Sequence, residues 1–403
     1  MQAKPATRAV QFIIKVSKFC NLRCTYCYEY AELGDRTVMT HDQLDRMYTH
    51  IADYYGSLPE PTTVKFIWHG GEPLVQPPEI YWSTFARQRE IFGGHPHVRV
   101  ENLVQTNLTL LDDERLRLLK EGFDGVGVSL DLFGGLRVNL AGKDSQDRVL
   151  AHVDRLRQEK IPFGGITVLT RRNLPHLESI FRFYERIGKS FRVLPLFAGA
   201  YEDQHAGYEI TAKDTLDAYC TLVDLWLESN KNIEIVPVTD HVRSVFRYLT
   251  PGMPSVFYSR RAWETAMLVN TRGDVFADAE AYDPEYSYGN IFTTSVKDLL
   301  GSANREKSLR ASERRMAASC AKCPYFGGCS GYAKGEYVDT FADTPRVEDI
   351  RLCTVERGVL QYIEKRLRET GLFGDPARAD LDRLRAERAT TEDPVRQALA
   401  FAG

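Results

Sequence analysis

No segment of this 403-residue chain approaches the roughly 18 consecutive apolar residues that a membrane-crossing helix needs. Residues 1–8 carry no apolar signal core. A membrane partner is therefore not expected, and the chain reads as cytoplasmic. An excess of one charge sign is also missing. Lys and Arg total 52 against 55 Asp and Glu, a net charge of -3, so there is no electrostatic footprint of a nucleic-acid binder. No internal repeat or low-complexity tract is present. Cysteine is scarce, and seven of the eight residues fall in two clusters (20, 24, 27 and 320, 323, 329, 353), with Cys220 alone. In a large chain without a secretion signal, such clustering indicates metal binding rather than a disulfide framework. The remaining composition, 43% hydrophobic and 27% charged, is that of a globular protein with ample material for a core. The length favours two or three domains.

The first half alternates strand and helix patterns. Apolar runs predict strands over 10–16, 64–68, 98–104, 125–130, 166–169 and 191–196. Helical patterns fall between them, over 80–91, 112–120, 149–156 and 177–187. A helix ahead of these, between the first two strands, is announced by a capping box, Thr40 with Gln43 three residues on, followed by Leu44, Met47, Tyr48, Ile51 and Tyr55 at helical spacing. Six such units predict an α/β fold with a parallel sheet, whose ligand sites lie at the carboxyl ends of the strands. Residues 214–227 read as an amphipathic helix with Cys220 in its core-facing set. From about 237 to 364 the chain reads as turn-rich, and 366–403 as a charged tail, helical or partly disordered.

The first cluster, Cys20, Cys24 and Cys27, has C-x3-C-x2-C spacing just after the first predicted strand. At about 2% Cys per position, chance would produce this triad roughly 0.003 times per chain. Three thiolates are soft ligands that suit an iron–sulfur cubane and leave its fourth iron open to a small chelating molecule. The alternatives are a zinc site short of its fourth ligand, or a fully ligated ferredoxin cluster.

These residues resemble the radical S-adenosylmethionine (SAM) superfamily, and the resemblance extends over most of the chain. It implies a partial (β/α)6, TIM-like barrel and a [4Fe–4S] cluster that cleaves SAM. Tyr26 matches the aromatic position near the adenine. Gly70-Gly71-Glu72-Pro73 resembles the turn that binds the SAM amino group. There, glycines allow close backbone approach and a carboxylate pairs with an ammonium. Gln105-Thr106-Asn107, and Ser129 with Asp131, resemble segments that bind the ribose and methionine. Arg137 resembles an arginine facing the methionine carboxylate. The alternative for that arginine is an ordinary surface residue.

Cys320-x2-Cys323-x5-Cys329 with Cys353 can close a four-thiolate site, and the spacing alone fits zinc or an auxiliary [4Fe–4S] cluster. The segment resembles a SPASM domain, together with Gly289-Asn290-Ile291 before a short helix over 296–300. That implies one auxiliary cluster. A second is not expected, because Asp278 and Ala333 stand where its cysteines would fall. The implied division is a barrel domain over 1–235, a SPASM-like domain over 236–365 and a tail over 366–403.

The incomplete second cluster, with Cys27-Tyr28-Glu29-Tyr30, resembles peptide maturases that join an aromatic ring carbon to a nearby β-carbon in three-residue cyclophanes. The expected partners are a precursor peptide and a one-electron donor such as flavodoxin or ferredoxin. With about nine residues ahead of the first strand, a leader would be bound elsewhere in the chain or by a separate protein. Such a reaction needs a base, for which Asp278 and Asp131 are the candidates. The competing readings are thioether formation, epimerisation, sulfatase-type oxidation of Cys or Ser, and a non-catalytic iron–sulfur or zinc scaffold.

Overall fold

A computed structural model describes residues 8–196, 207–259, 261, 266–277, 286–332 and 353–369. The elements run β1 (Arg8–Ser17), α1 (His41–Gly56), β2 (Thr62–Gly70), α2 (Pro78–Phe92), β3 (Val98–Thr106), α3 (Asp113–Glu121), β4 (Gly125–Ser129), α4 (Gln146–Gln158), β5 (Phe163–Leu169), α5 (Leu177–Ile187) and β6 (Phe191–Pro195). They continue with α6 (Ala212–Glu228), β7 (Ile235–Val236), α7 (Val238–Leu249), β8 (Met267–Val269), β9 (Val275–Phe276), α8 (Val296–Leu300), α9 (Ala303–Cys320) and α10 (Thr354–Glu369). All six expected strands are present. Thr40 caps α1 through the expected reciprocal box with Gln43, and the Asp112 side chain caps α3.

The chain forms two compact units, residues 1–166 with 262–307, and 167–261 with 308–403. In the first, β1 to β5 lie side by side in parallel. On the far side of β1 comes β8, also parallel, with β9 antiparallel to it. One face of this sheet is apolar. Phe12 packs on Tyr55, Phe66 on Tyr48 and Phe92, and Trp68 on Tyr81, so α1 and α2 cover it. The opposite face carries Gln11, Ile13 and Lys15 on β1 beside Lys65, Ile67 and His69 on β2, in register. Side chains alternate between faces with period two, which assigns both sets from the sequence once the strand is known.

In the second unit the end of β5 accepts a hydrogen bond at Leu169 O from Leu196 N, and β6 pairs in parallel with β7. α6 starts at a capping box of Thr211 with Asp214. Cys220 is half-buried on this helix rather than in the core, and burial raises its thiol to about 11.

The stretch from 237 to 364 is more helical than its turn-rich reading. α7 buries Val238, His241, Val242, Val245 and Tyr248 on one side. α9 is rich in Arg, Ser and Glu, so no apolar stripe announces it. Of the expected tail, residues 366–369 belong to α10 and 370–403 lie outside the described residues.

Candidate active site

Ser17 ends β1, and the chain then crosses the carboxyl ends of the strands as the cysteine loop. Backbone bonds hold it on both sides. Cys20 N donates to Leu33 O, Cys27 N to Cys24 O, Arg23 N to Val138 O and Thr25 N to Leu136 O, at 2.7 to 3.2 Å. The last two tie the loop to the segment after β4. Cys20 and Cys24 are buried and Cys27 is half-buried.

The glycines of the second motif serve this loop. Gly70 has φ of 122°. A Cβ on Gly71 would lie 2.2 Å from Lys18 O and 2.3 Å from Phe19 O. Only glycine lets β2 end flush against the loop, where Gly71 N donates to Ser17 O and Glu72 N to Phe19 O. Pro73 opens a buried 3-10 turn. The Glu72 carboxylate is buried and ties the strand ends together. It accepts from Leu74 N at 2.9 Å, Thr106 Oγ1 at 2.7 Å and Asn107 N at 2.6 Å. Burial raises its pKa, and these donors oppose the shift.

Asn107 continues the tie. Its Nδ2 donates to Asn21 Oδ1 at 3.0 Å and reaches Cys20 Sγ at 3.8 Å, while Leu22 N donates to the same sulfur at 3.4 Å. Gln105 donates to Ser129 Oγ at 2.7 Å, across the small Gly127 between them.

Tyr26 hydroxyl and Arg137 Nε both donate to Asp131 Oδ2, the latter at 2.6 Å. The Asp131 side chain has no exposure and that of Arg137 has 14%. The Arg137 guanidinium stands 5.9 Å from the Tyr26 ring centre. These two donors tie Asp131 to Arg137 and Tyr26. Asp278 lies outside the described residues.

Burial lifts the Cys20 and Cys27 thiols to about 12 and raises Cys24 as well; Glu72 adds to the effect at Cys20. Enclosed thiols of this kind ionise only against added positive charge, which metal coordination supplies. Among the described residues, no three His, Cys, Asp or Glu side chains converge as a single ion requires. Around one zinc ion at about 2.3 Å per sulfur, the sulfurs would nearly touch. A cubane spreads its ligands more widely, so this donor set suits a cluster better than one ion.

Residues 14–184 match the family model described as the radical SAM superfamily. The chain is a radical SAM enzyme. It is 24% identical over 353 residues to the serine-type anaerobic sulfatase-maturating enzyme of Bacteroides thetaiotaomicron, covering 81% of this chain and 83% of that one. It is also 24% identical over 330 residues to the cysteine-type enzyme of Clostridium perfringens, covering 78% and 86%. Among solved structures, anSMEcpe with bound AdoMet and Cp18Cys peptide superposes with a TM-score of 0.68 at 20% identity, covering 90% of this chain and 99% of that one. Streptococcus suis SuiB bound to its precursor peptide SuiA gives 0.54 at 16%, covering 82% and 72%. These likenesses establish the radical SAM α/β partial-barrel fold. The enzyme's cofactors are SAM and a SAM-cleaving iron–sulfur cluster.

The radical SAM enzyme gathers its four remaining clustered cysteines in the second unit. Cys320 ends α9, Cys323 N donates to Cys320 O, and Cys329 N donates to Tyr325 O. Cys353 precedes α10. All four line one cavity, with Phe326, Leu360 and Glu356. Gly331, at φ of 82°, adds a cradle in which a Cβ would sit 3.3 Å from Cys320 Sγ. Burial also raises the Cys353 thiol. Chain folding thus joins Cys353 to a set that ended 24 positions earlier. Ala333 lies outside the described residues.

Sequence reasoning missed one group beside the first site. Lys15, on β1, is 1% exposed. Its ammonium donates to Glu29 Oε1 at 2.5 Å and Tyr28 hydroxyl at 2.7 Å, and meets His69 Nδ1 at 3.3 Å. The available signal was a lysine inside an otherwise apolar strand. Among the described residues, no helix is long and apolar enough to cross a membrane.

Proposed function

We propose that this radical SAM enzyme modifies a ribosomally made peptide by removing hydrogen from a side-chain carbon, and that its product is a carbon–carbon crosslink to an aromatic ring. The observation that carries the peptide reading is the rim of the site. Tyr28, Tyr30, Phe133 and Leu140 are 40%, 42%, 44% and 67% exposed around the cysteine loop and the segment after β4. Exposed apolar side chains on segments that flank a site suit a chain with aromatic side chains. Relatives named sulfatase-maturating enzymes, and a neighbour bound to a precursor peptide, support it.

Cys20, Cys24 and Cys27 would hold the SAM-cleaving [4Fe–4S] cluster, and Cys320, Cys323, Cys329 and Cys353 one auxiliary [4Fe–4S] cluster. When bound, the first cluster and SAM supply one-electron cleavage of a sulfonium and a carbon radical that takes a hydrogen atom. This chain's residues orient and enclose. Arg137, fixed by Asp131, would face the methionine carboxylate, and Tyr26 would pack near the adenine. Glu72 and Asn107 would receive the amino group, with Gln105, Thr106 and Ser129 toward the ribose. Asp278 would take the proton lost on crosslinking. The outside electron would come from flavodoxin or ferredoxin, and a leader would be bound elsewhere in the chain or by a separate protein. On this reading the barrel domain is 1–235, the auxiliary domain 236–365 and the tail 366–403, in a cytoplasmic protein.

Sulfatase-type oxidation of Cys or Ser is the second reading, favoured by the identity to sulfatase-maturating relatives along about four-fifths of the chain. Two peptide series separate them, one with an aromatic residue two positions from an aliphatic or polar partner, and one with a lone Cys or Ser in a sulfatase-like context. Loss of two hydrogens without hydrazide reactivity supports the crosslink. An aldehyde product from the second series selects oxidation. If neither series changes and no 5′-deoxyadenosine forms, the peptide reading fails.

A further inference from the structure

The Lys15 group is used by none of the roles above. An ammonium has three N–H donors and no acceptor. Those of Lys15 meet Glu29, Tyr28 and His69. At His69 the consequence is strict. Gly70 N also donates to Nδ1, at 2.8 Å. Two donors converge on one nitrogen, so Nδ1 carries no hydrogen and the ring's proton sits on Nε2. Nε2 has no partner among the described residues, and His69 is only half-buried. Its side chain springs from the face of the sheet that α1 and α2 leave uncovered. Trp68 pairs with Val104, so Gln105 follows His69 in register and continues the same polar row. Tyr28, part of the apolar rim, flanks the ammonium at 5.0 Å from its ring centre.

We propose that Lys15 is a positioning residue and His69 the group it positions: the ammonium fixes the imidazole so that a neutral Nε2–H donor points from the sheet face opposite α1 and α2 at an acceptor oxygen of the substrate. The fitting chemistry is a backbone carbonyl or side-chain amide oxygen beside the carbon that loses hydrogen. This rests on the peptide reading and adds to it a contact that fixes which carbon is presented. Electrostatics agree with the geometry. Burial and the Lys15 charge lower His69 to about 3, so the ring stays neutral and cannot serve as a cationic acid. Burial opposes the Lys15 charge, but Tyr28 and Glu29 outweigh it and raise its pKa.

The test uses the full-length reconstituted enzyme with 15N-histidine, Lys15→Met/Glu29→Gln to remove both buried charges together, and His69→Gln and His69→Leu. Long-range 1H–15N spectra, with the His69 signal assigned by its loss in His69→Gln, should show one Nε2–H tautomer from pH 6 to 8. In the double variant only Gly70 N still holds Nδ1, so an Nδ1–H fraction should appear. With whichever peptide series is turned over as probe, His69→Leu and the double variant should raise KM about tenfold, the loss of one hydrogen bond. His69→Gln, which retains an N–H at similar reach, should recover KM to within about threefold. An Nδ1–H tautomer or an imidazolium in the native enzyme at pH 7 overturns the proposal, as does an unchanged KM in His69→Leu. If neither series is turned over, the peptide reading fails while the tautomer measurement still decides the role of Lys15.

Discussion

Removing the Arg137 guanidinium would leave the Asp131 carboxylate enclosed and without a counter-charge. The pair is buried, with side-chain exposures of 14% and 0%, and Tyr26 donates to the same oxygen. Breaking such a pair by deleting one partner costs about 3–5 kcal/mol, because the remaining ion keeps its desolvation penalty. For a unit of this size, about 2–4 °C is lost per kcal/mol, so Arg137→Met should lower the melting temperature of the SAM-free protein by roughly 6–20 °C. Asp131→Asn should cost less, since Arg137 can turn toward water. The double variant, with no buried charge, should lie within about 1.5 kcal/mol of the native protein. Anaerobic denaturant titrations of the four proteins close the cycle, and equilibrium dialysis then reads SAM affinity separately. A cost below about 1 kcal/mol for Arg137→Met, or simple additivity in the double variant, would refute the buried pair as the anchor of this site.

Three further outcomes follow from the same structure. Alanine in place of Cys320, Cys323, Cys329 and Cys353 should lower iron from roughly eight to roughly four per chain, with 5′-deoxyadenosine formation retained; unchanged iron would remove the auxiliary cluster. Gly71→Ala should destabilise the cysteine loop by about 1–3 kcal/mol, since its Cβ meets two carbonyl oxygens, and iron retention after desalting measures the loss. His69, lowered from 6.5 to about 3, contributes stability that is fully present above its unfolded value and is lost as pH falls toward 3. Between pH 6.5 and 5 the native protein should therefore lose about 1.6 kcal/mol more in total than His69→Gln, and parallel pH profiles would count against it.

Much of this enzyme is written locally. A strand's alternation, the Thr40–Gln43 cap and the spacing of Cys20, Cys24 and Cys27 depend on neighbours within a few residues, so the six strands and the cysteine loop were legible from the chain. Glycines at 70 and 71 could be marked as places of close approach, but not for what. Folding showed that they meet the cysteine loop itself, and that Glu72 spends its oxygens on Leu74, Thr106 and Asn107. α9 escaped notice because a helix without an apolar stripe has no period to read. What only the tertiary structure decided are pairings between residues far apart in sequence. These are Tyr26 and Arg137 on Asp131, and Lys15 against Glu29 and His69. Local propensity carries no information about such contacts, because register and strand order select them. The chain alone marked the protein as a radical SAM enzyme. The fold determined which side chains stay charged, and where their hydrogen bonds point.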